Sequence, residues 1–155
     1  MTIYLLLALA IGIIAGLRTM TALAAVSWTV WRGQPDLTGS WLAFLGYRYT
    51  PWIISLLAVG EFVTDKLPIT PSRKVPIQFG GRIAIGALGG AVVGLAGGLL
   101  LPGLIAGVIG AVIGTLGGAA LRSRLAAHFH RDLPAALIED TVAVVGALLI
   151  VAVLS

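Results

Sequence analysis

The sequence predicts an all-α membrane protein with about five transmembrane helices, and composition and hydropathy are the main reasons. Of its 155 residues, 59% are hydrophobic and only 10% are charged, and the mean hydropathy is +1.06. Between Arg82 and Arg122 the chain has no charged residue. We therefore predict one integral membrane domain over residues 1–155, with no separate water-soluble domain and no cleaved signal peptide.

The central apolar stretch is rich in regularly spaced glycine and is predicted to form a glycine-zipper hairpin. Two helices, over about 82–100 and 103–122, are joined at Pro102-Gly103. Spacing of four residues places glycines on one helix face, where small residues let two backbones approach closely. The alternative is a low-complexity apolar tract with no special partner. The predicted packing residues are Gly86, Gly90, Gly94, Gly98, Gly107, Gly110, Gly114 and Gly118.

The chain begins with an apolar run over 3–17, which Arg18 interrupts before apolar character resumes at 22–26. Either one long helix spans about 3–27, or the helix breaks near Gly16 and restarts. A single helix of about 25 residues exceeds what a bilayer requires, so it is expected to tilt or kink.

Residues 28–50 mix aromatic side chains with glycine and proline, a composition typical of the headgroup region. The next helix is predicted over about 51–66, because proline is favoured in the first turn and Pro68 ends it. Glu61 and Asp65 are four residues apart and share one face of this helix. A last helix is predicted over about 134–154.

The basic residues indicate the orientation. The predicted loops 66–82 and 122–134 hold most of the Lys and Arg, whereas 28–50 holds only Arg32 and Arg48. With five helices, the positive-inside rule places the N-terminus in the cytoplasm and the C-terminus outside. If the first segment is two spans instead of one, only the N-terminus changes side.

Ionisable residues in or at the ends of apolar helices are the strongest functional signal. Such groups are costly in a membrane unless they pair or reach water, so they often mark pathways. The alternative is a set of structural ion pairs, for example between Arg18 and Glu61. The candidate substrate or ion pathway comprises Arg18, Glu61, Asp65, Lys66, Arg73, Arg82, Glu139 and Asp140.

A weak sequence similarity between two parts of the chain indicates an inverted two-helix repeat. The sequence at 16–18 (GLR) resembles that at 120–122 (ALR), and each is followed by a helix with two acidic residues. One helix separates the two pairs, and an odd spacer inverts the second pair relative to the first. Inverted repeats are common in secondary transporters.

Other motifs are weaker. His128 and His130 with Asp132 could hold a metal, but histidines at alternate positions in a basic loop are usually only solvated. Cysteine, the other common metal ligand, is absent. Phosphate loops, nucleophile elbows and zinc signatures are missing. We therefore predict no metal, no cofactor and no enzymatic activity. The net charge of +4 lies in loops and indicates membrane orientation, not a nucleic-acid partner.

Several blocks resemble a bacterial family of small polytopic inner-membrane proteins that is filed as a domain of unknown function. They are AGLRTMT at 15–21, DKLP at 65–68, PSR at 71–73 and ALIED at 136–140, with Gly81-Arg82 and the stretch 86–88 (GAL). The resemblance covers nearly the whole chain and implies an inner-membrane location. It brings no activity, substrate or catalytic residue.

Together these features predict a small transporter or permeation protein, working as a homo-oligomer in the lipid bilayer. Basic residues on the pathway favour an anionic or phosphate-bearing substrate, such as a lipid headgroup, and acidic residues favour proton coupling. The alternative is a structural or accessory membrane protein whose charges hold helices together. A water-reached cavity at Glu61 and Glu139 would favour transport, whereas sealed pairs would favour the structural role.

Overall fold

The computed structural model describes all 155 residues, and helices and their connections make up the whole chain. Three helices, the last three, are apolar and long enough to cross a membrane. The all-helical prediction is therefore confirmed. The elements in order are α1 (Thr2–Leu17), α2 (Thr19–Trp31), a 3-10 helix (Trp41–Gly46), α3 (Thr50–Thr64), α4 (Pro76–Ala96), α5 (Leu100–Phe129) and α6 (Asp132–Leu154).

The first apolar segment is two helices, so the single helix predicted over 3–27 is wrong. Arg18 has an extended backbone, with φ −141° and ψ 103°, between the end of α1 and the start of α2. Ile11 and Val26, on opposite sides of this break, both approach Gly89 of α4. They could not reach one neighbour from a straight helix, where about 1.5 Å separates successive residues. The two helices therefore form an antiparallel hairpin with Arg18 at its tip.

The turn between α4 and α5 lies earlier than predicted. The chain turns at 97–99, where Gly98 has a φ of +71° that glycine adopts without strain. Pro102 is instead in the first turn of α5, where its missing N–H has no helical partner to lose. The predicted turn at Pro102-Gly103 is therefore wrong, and Gly98 is a turn residue with nothing packed against it.

Helices α1, α4 and α5 form a group whose backbones touch at glycines. A Cβ atom added to Gly90 or Gly94 of α4 would lie within 3.0 Å of backbone atoms of Gly103 on α5. Added to Gly12 or Gly16 of α1, it would lie equally close to the backbone of α5. Only glycine fits at such positions, because real Cβ contacts are longer.

The second glycine row of α5 faces α1 instead of α4. A Cβ atom added to Gly110 or Gly114 would meet the backbone of α1 near Ile13, whereas Gly107 meets Gly86 on α4. Both glycine faces of α5 are therefore covered within one chain. The predicted homo-oligomer, which relied on a spare glycine face for subunit contacts, loses that support and stays a prediction.

Helices α2, α3 and α6 pack around this group, and both chain termini lie at one end of the bundle. Arg32, just after α2, donates from Nη1 to Ser155 Oγ at 2.8 Å, and Tyr4 lies against Gly97. Ile14 of α1 approaches Gly146 of α6, and Arg18 just after α1 contacts Asp140 of α6, so these two helices are antiparallel. We call this the terminal end, and the opposite end, where α1 meets α2, the Arg18 end.

The terminal end also carries the aromatic connection between α2 and α3. There Asp36 is exposed and accepts hydrogen bonds from Thr38 Oγ1 at 2.7 Å and from Thr38 N at 2.9 Å. Because these bonds stabilise the charged carboxylate, they hold the pKa of Asp36 below its ordinary value. Asp36 is thus a carboxylate remote from the Arg18 end.

Candidate functional site

The Arg18 end brings together all eight charged residues that the sequence singled out. The tip of the α1–α2 hairpin provides Arg18, and α3 with the connection after it provides Glu61, Asp65, Lys66 and Arg73. Helix α4 adds Arg82, and α6 adds its two acidic residues. The hairpin tip lies inside the bundle and not at its surface. Arg18 at the tip contacts Asp140, which lies about 12 Å along α6 from the first residue of that helix.

Arg18 is the centre of an extensive charge network. Its side chain is 0% exposed, and it contacts Asp65 through Nη1 and Asp140 through Nη2, each at 2.6 Å. Lys66 Nζ lies 2.6 Å from the other oxygen of Asp140. Phe62 stacks beside the guanidinium, with its ring centre 5.8 Å from Cζ. Two carboxylates from different helices therefore share one fully buried cation.

The other half of the network centres on Glu139 and Arg122. Arg73 donates to Glu139 through Nη1 at 2.5 Å and through Nη2 at 3.0 Å, and both side chains are buried. Arg122 of α5 donates to Asp65, and also to Asp132 at 2.6 Å and 2.9 Å. We call these residues the charge network. Its members are Arg18, Lys66, Arg73 and Arg122, with Asp65, Asp132, Glu139 and Asp140.

Glu61 lies outside the charge network and caps the N-terminus of α2. Its Oε1 accepts from Thr19 N and its Oε2 from Met20 N, both at 2.9 Å. No lysine or arginine nitrogen lies within 4.0 Å of it. The proposed pair between Arg18 and Glu61 is therefore wrong, because the backbone turns at Arg18 and presents amide groups to Glu61 in place of the guanidinium.

Arg82 is the second predicted site residue that lies outside the charge network. It is 5% exposed, and no carboxylate oxygen lies within 4.0 Å of its guanidinium. Its Nη1 donates to the carbonyls of Gly16 at 2.8 Å and Leu17 at 3.0 Å, the last two residues of α1. Its Nε is buried without a partner. A buried cation with neither counter-ion nor full hydrogen bonding is costly and rare.

Side chains of opposite charge thus stabilise the two helix ends at the break. Arg82 meets the carbonyls at the C-terminus of α1, and Glu61 meets the amides at the N-terminus of α2. Each charge has the sign that the helix dipole favours at that end. The backbone groups left over by the break are therefore satisfied by α3 and α4, which explains why the chain can break in an apolar region.

An open cavity of about 490 Å³ lies between α3 and α4 beside this break. It is lined by Glu61 and Arg82, the two predicted site residues outside the charge network, and by the first residues of α2. Asp65 and Arg73 also line it, although each is engaged in the network. Its apolar lining is Met20, Leu57, Ile77 and Ile85.

A second, smaller cavity of about 290 Å³ lies on the other side of the connection between α3 and α4. Both cavities are lined by Asp65, Thr70, Pro71 and Arg73, so this connection separates them. Arg122 and Asp132 line the second cavity. Neither residue was a predicted site residue, although Arg122 continues the four-residue spacing of Gly110, Gly114 and Gly118.

The structure contradicts the predicted inverted repeat. An inverted repeat would place Arg18 and Arg122 at opposite ends, yet both contact Asp65. The acidic residues of α3 and α6 likewise meet at the Arg18 end. The short sequence similarity between 16–18 and 120–122 therefore does not mark two helix pairs related by inversion.

Comparisons with protein-family models, with curated proteins and with solved structures found no match. The resemblance to a family of inner-membrane proteins therefore stays a prediction from the sequence blocks. The function has to be argued from the site itself.

Proposed function

We propose that this chain is a small membrane transporter or permeation protein for an anionic or phosphate-bearing substrate. The observation that carries the proposal is Arg82, a buried arginine that lines the larger cavity without a carboxylate partner. Guanidinium groups bind phosphate and carboxylate through paired hydrogen bonds, which are stronger when the site excludes water. An anion in this cavity would supply the counter-ion that the protein does not.

The environments of the two acidic residues favour a role in the substrate pathway for Glu61 over Glu139. Glu61 lines the larger cavity, where solvent and substrate can reach it. Glu139 is 8% exposed and is held by Arg73 on both oxygens. A carboxylate beside a cavity can exchange its partners or its proton during a transport cycle, whereas a sealed ion pair holds helices together. We therefore assign the pathway to Glu61 and Arg82, and a structural role to Glu139.

The apolar part of the cavity favours a substrate with a lipid tail. Leu57 of α3 and Ile77 of α4 line it and are 54% and 82% exposed, as expected for helices surrounded by lipid. Charged groups at the helix break and apolar groups along the flanking helices match the two parts of an anionic lipid. A free phosphate ion would use only the charged part.

We infer a multi-pass inner-membrane location in which α4 to α6 cross the bilayer, the shorter α3 makes a fourth crossing together with the residues that flank it, and the α1–α2 hairpin enters and leaves from one side. The Arg18 end carries the basic segments 66–82 and 122–131, so the positive-inside rule places it in the cytoplasm. Because the first segment folds back, both termini lie on the outer side. This arrangement takes the place of the predicted one, in which five helices span the membrane and the N-terminus lies in the cytoplasm.

Reporter fusions test this orientation. A reporter after Ser155 and one before Thr2 are expected to give the same, outer-side signal, and one inserted beside Lys74 the cytoplasmic signal. A fusion after Arg131, in the second basic connection, is the control and should agree with Lys74. Opposite signals from the two termini would show that the hairpin does not exist in the membrane.

We also infer that the glycine rows of α4 and α5 act as a glycine zipper. The contacts of Gly90 and Gly94 with Gly103 support it, because backbone-to-backbone approach leaves no room for lipid between the helices. A rigid pair of this kind gives α3 a fixed surface across the cavity.

Anion binding by variants of Arg82 tests the proposed function. In purified protein, Arg82→Gln is expected to weaken binding of inorganic phosphate or a short-chain phosphatidic acid about tenfold or more, because a charge-assisted hydrogen bond is lost. Arg82→Lys should recover part of the affinity. Arg124→Gln, at an exposed cation of α5 without an ion pair, is the matched control and should bind like the unchanged protein.

The structural alternative has its own supporting observation. The charge network contains four basic and four acidic side chains that pair among themselves, so its charge is balanced without a bound counter-ion. If the chain is a structural or accessory protein, Arg82→Gln will change its melting temperature. Neither the unchanged protein nor Arg82→Gln will then bind an anion. Uptake of labelled phosphatidic acid or phosphate by liposomes then separates transport from binding alone.

A further inference from the structure

We propose that Glu61 is a built-in substitute for the substrate anion, which displaces it from the N-terminus of α2. The inference rests on the proposed function and specifies how its site works. It assigns the amides of Thr19 and Met20, together with Arg82, as the groups that bind the phosphate or lipid phosphate.

The geometry at α2 is that of an anion site with a carboxylate in it. Two successive backbone amides at the start of a helix each donate to one oxygen of Glu61 at 2.9 Å. Helix N-termini bind phosphate through the same groups, because free N–H groups and the helix dipole both favour negative charge. The residue at the N-cap of α2 is Arg18, and its side chain does not cap the helix. The cap therefore comes entirely from another helix.

A second, independent observation points to a ligand at this place. Arg82 lines the same cavity, is 5% exposed, and has a buried Nε without a hydrogen-bond partner. Nη1 alone makes the hydrogen bonds of Arg82 to the carbonyls at the end of α1. Its remaining hydrogen-bonding capacity and its charge are unmatched by any carboxylate. A bound phosphate would accept from Nη2 of Arg82, which makes no hydrogen bond in the protein and is not a buried atom, as well as from the amides of α2.

The balance of charge couples anion binding to a proton. Charged groups facing the cavity are Glu61 and Asp65 from α3 and its end, Arg73 from the following connection, and Arg82 from α4. Asp65 and Arg73 are held in the network, so only Glu61 and Arg82 are free to respond. When a phosphate takes the amides, the displaced carboxylate lies beside a like charge, which favours its protonated form. Binding should therefore take up a proton from solution.

The test is titration calorimetry on the full chain in detergent, with inorganic phosphate and with a short-chain phosphatidic acid as probes. Repeating each titration at one pH in two buffers of different ionisation enthalpy counts the protons exchanged. The unchanged protein is expected to take up about one proton per anion. Glu61→Gln should take up about one proton fewer per anion than the unchanged protein and bind about tenfold more tightly, because the competing charge is gone. Asp36→Asn, at an exposed carboxylate of the terminal end, is the matched control and should behave like the unchanged protein.

The outcomes separate this inference from the proposed function. Proton uptake with both probes supports a site for phosphate in general, and uptake with phosphatidic acid alone supports a lipid substrate. Binding that needs Arg82 but exchanges no proton, with equal affinity in Glu61→Gln, overturns the inference and leaves the proposed function standing. Absence of binding to either probe overturns both. Because phosphate monoesters themselves titrate at about pH 6, the proton count on the unchanged protein is repeated with sulfate, which stays a dianion, so the test holds even if Glu61→Gln does not fold.

Discussion

Replacing Arg18 with glutamine is expected to lower the free energy of unfolding by about 3–5 kcal/mol, the largest loss from any single charge in the protein. The guanidinium is 0% exposed and contacts Asp65 and Asp140 at 2.6 Å each. Glutamine leaves these two carboxylates close together without the cation between them. Each keeps one other basic partner, Arg122 or Lys66, so the network weakens without being abolished.

Thermal unfolding in detergent measures this loss. Arg18→Gln should lower the midpoint by about 10 °C or more, and adding Asp140→Asn should recover part of it. Arg48→Gln, at an arginine of the terminal end without an ion pair, is the control and should change the midpoint little. A midpoint for Arg18→Gln equal to that of the control would show that the network does not hold the hairpin tip.

Adding one methyl group at Gly107 is expected to cost about 1–3 kcal/mol or more of stability. Gly107 lies where three helices meet. Its own Cβ would overlap the backbone of Gly86 and Gly90 on α4, and a Cβ on Gly12 of α1 would overlap its carbonyl. Backbone atoms cannot move aside as a flexible side chain can, so Gly107→Ala must separate α5 from α4.

The matched control is on the same helix. A Cβ atom at Gly117 would meet nothing within 4 Å, so Gly117→Ala should be neutral or stabilising by up to about 1 kcal/mol, the helix preference of alanine over glycine. The comparison uses the unfolding midpoint and the yield of monodisperse protein. If both alanine variants behave alike, the close approach of the three helices is not what stabilises the fold.

The helical pattern was predictable, because it depends on local composition. Hydropathy located α3 and α6 to within two residues, but α4 begins six residues earlier than predicted and α5 ends seven residues later, because their polar end turns lie at the Arg18 end. Four-residue glycine spacing predicted that α4 and α5 touch through Gly86, Gly90 and Gly94. The partner of Gly110 and Gly114 was not predictable. A glycine row shows that some helix can come close, and it does not say which one.

The break at Arg18 was one of two alternatives and could not be decided from the sequence. No proline follows it, and Gly16 lies inside α1. The break is held by Glu61 and Arg82, which are distant in sequence and bond to the freed amides and carbonyls. Boundaries that depend on tertiary partners leave little local signal.

The candidate site was predicted as a set of residues and not as a set of pairs. All eight predicted charged residues gather at the Arg18 end, because each is expensive to leave alone in an apolar protein. Which cation meets which carboxylate depends on the depth of the hairpin tip, so Arg18 was paired with the wrong acid. Arg122 was missed because a basic residue near a helix end usually only orients the chain.

The contact between Gly12 and Gly107 also has a consequence for biosynthesis. Helix α1 is made before α4 and α5, which are its closest neighbours, and the second counter-ion of Arg18, Asp140, is on α6. Loops that long are slow to close. Until the final helix is made, the α1–α2 hairpin carries an arginine with an incomplete set of partners. The charge network can therefore be completed only after α6 has been made, and the side chain of Arg18 needs water or other polar partners until then.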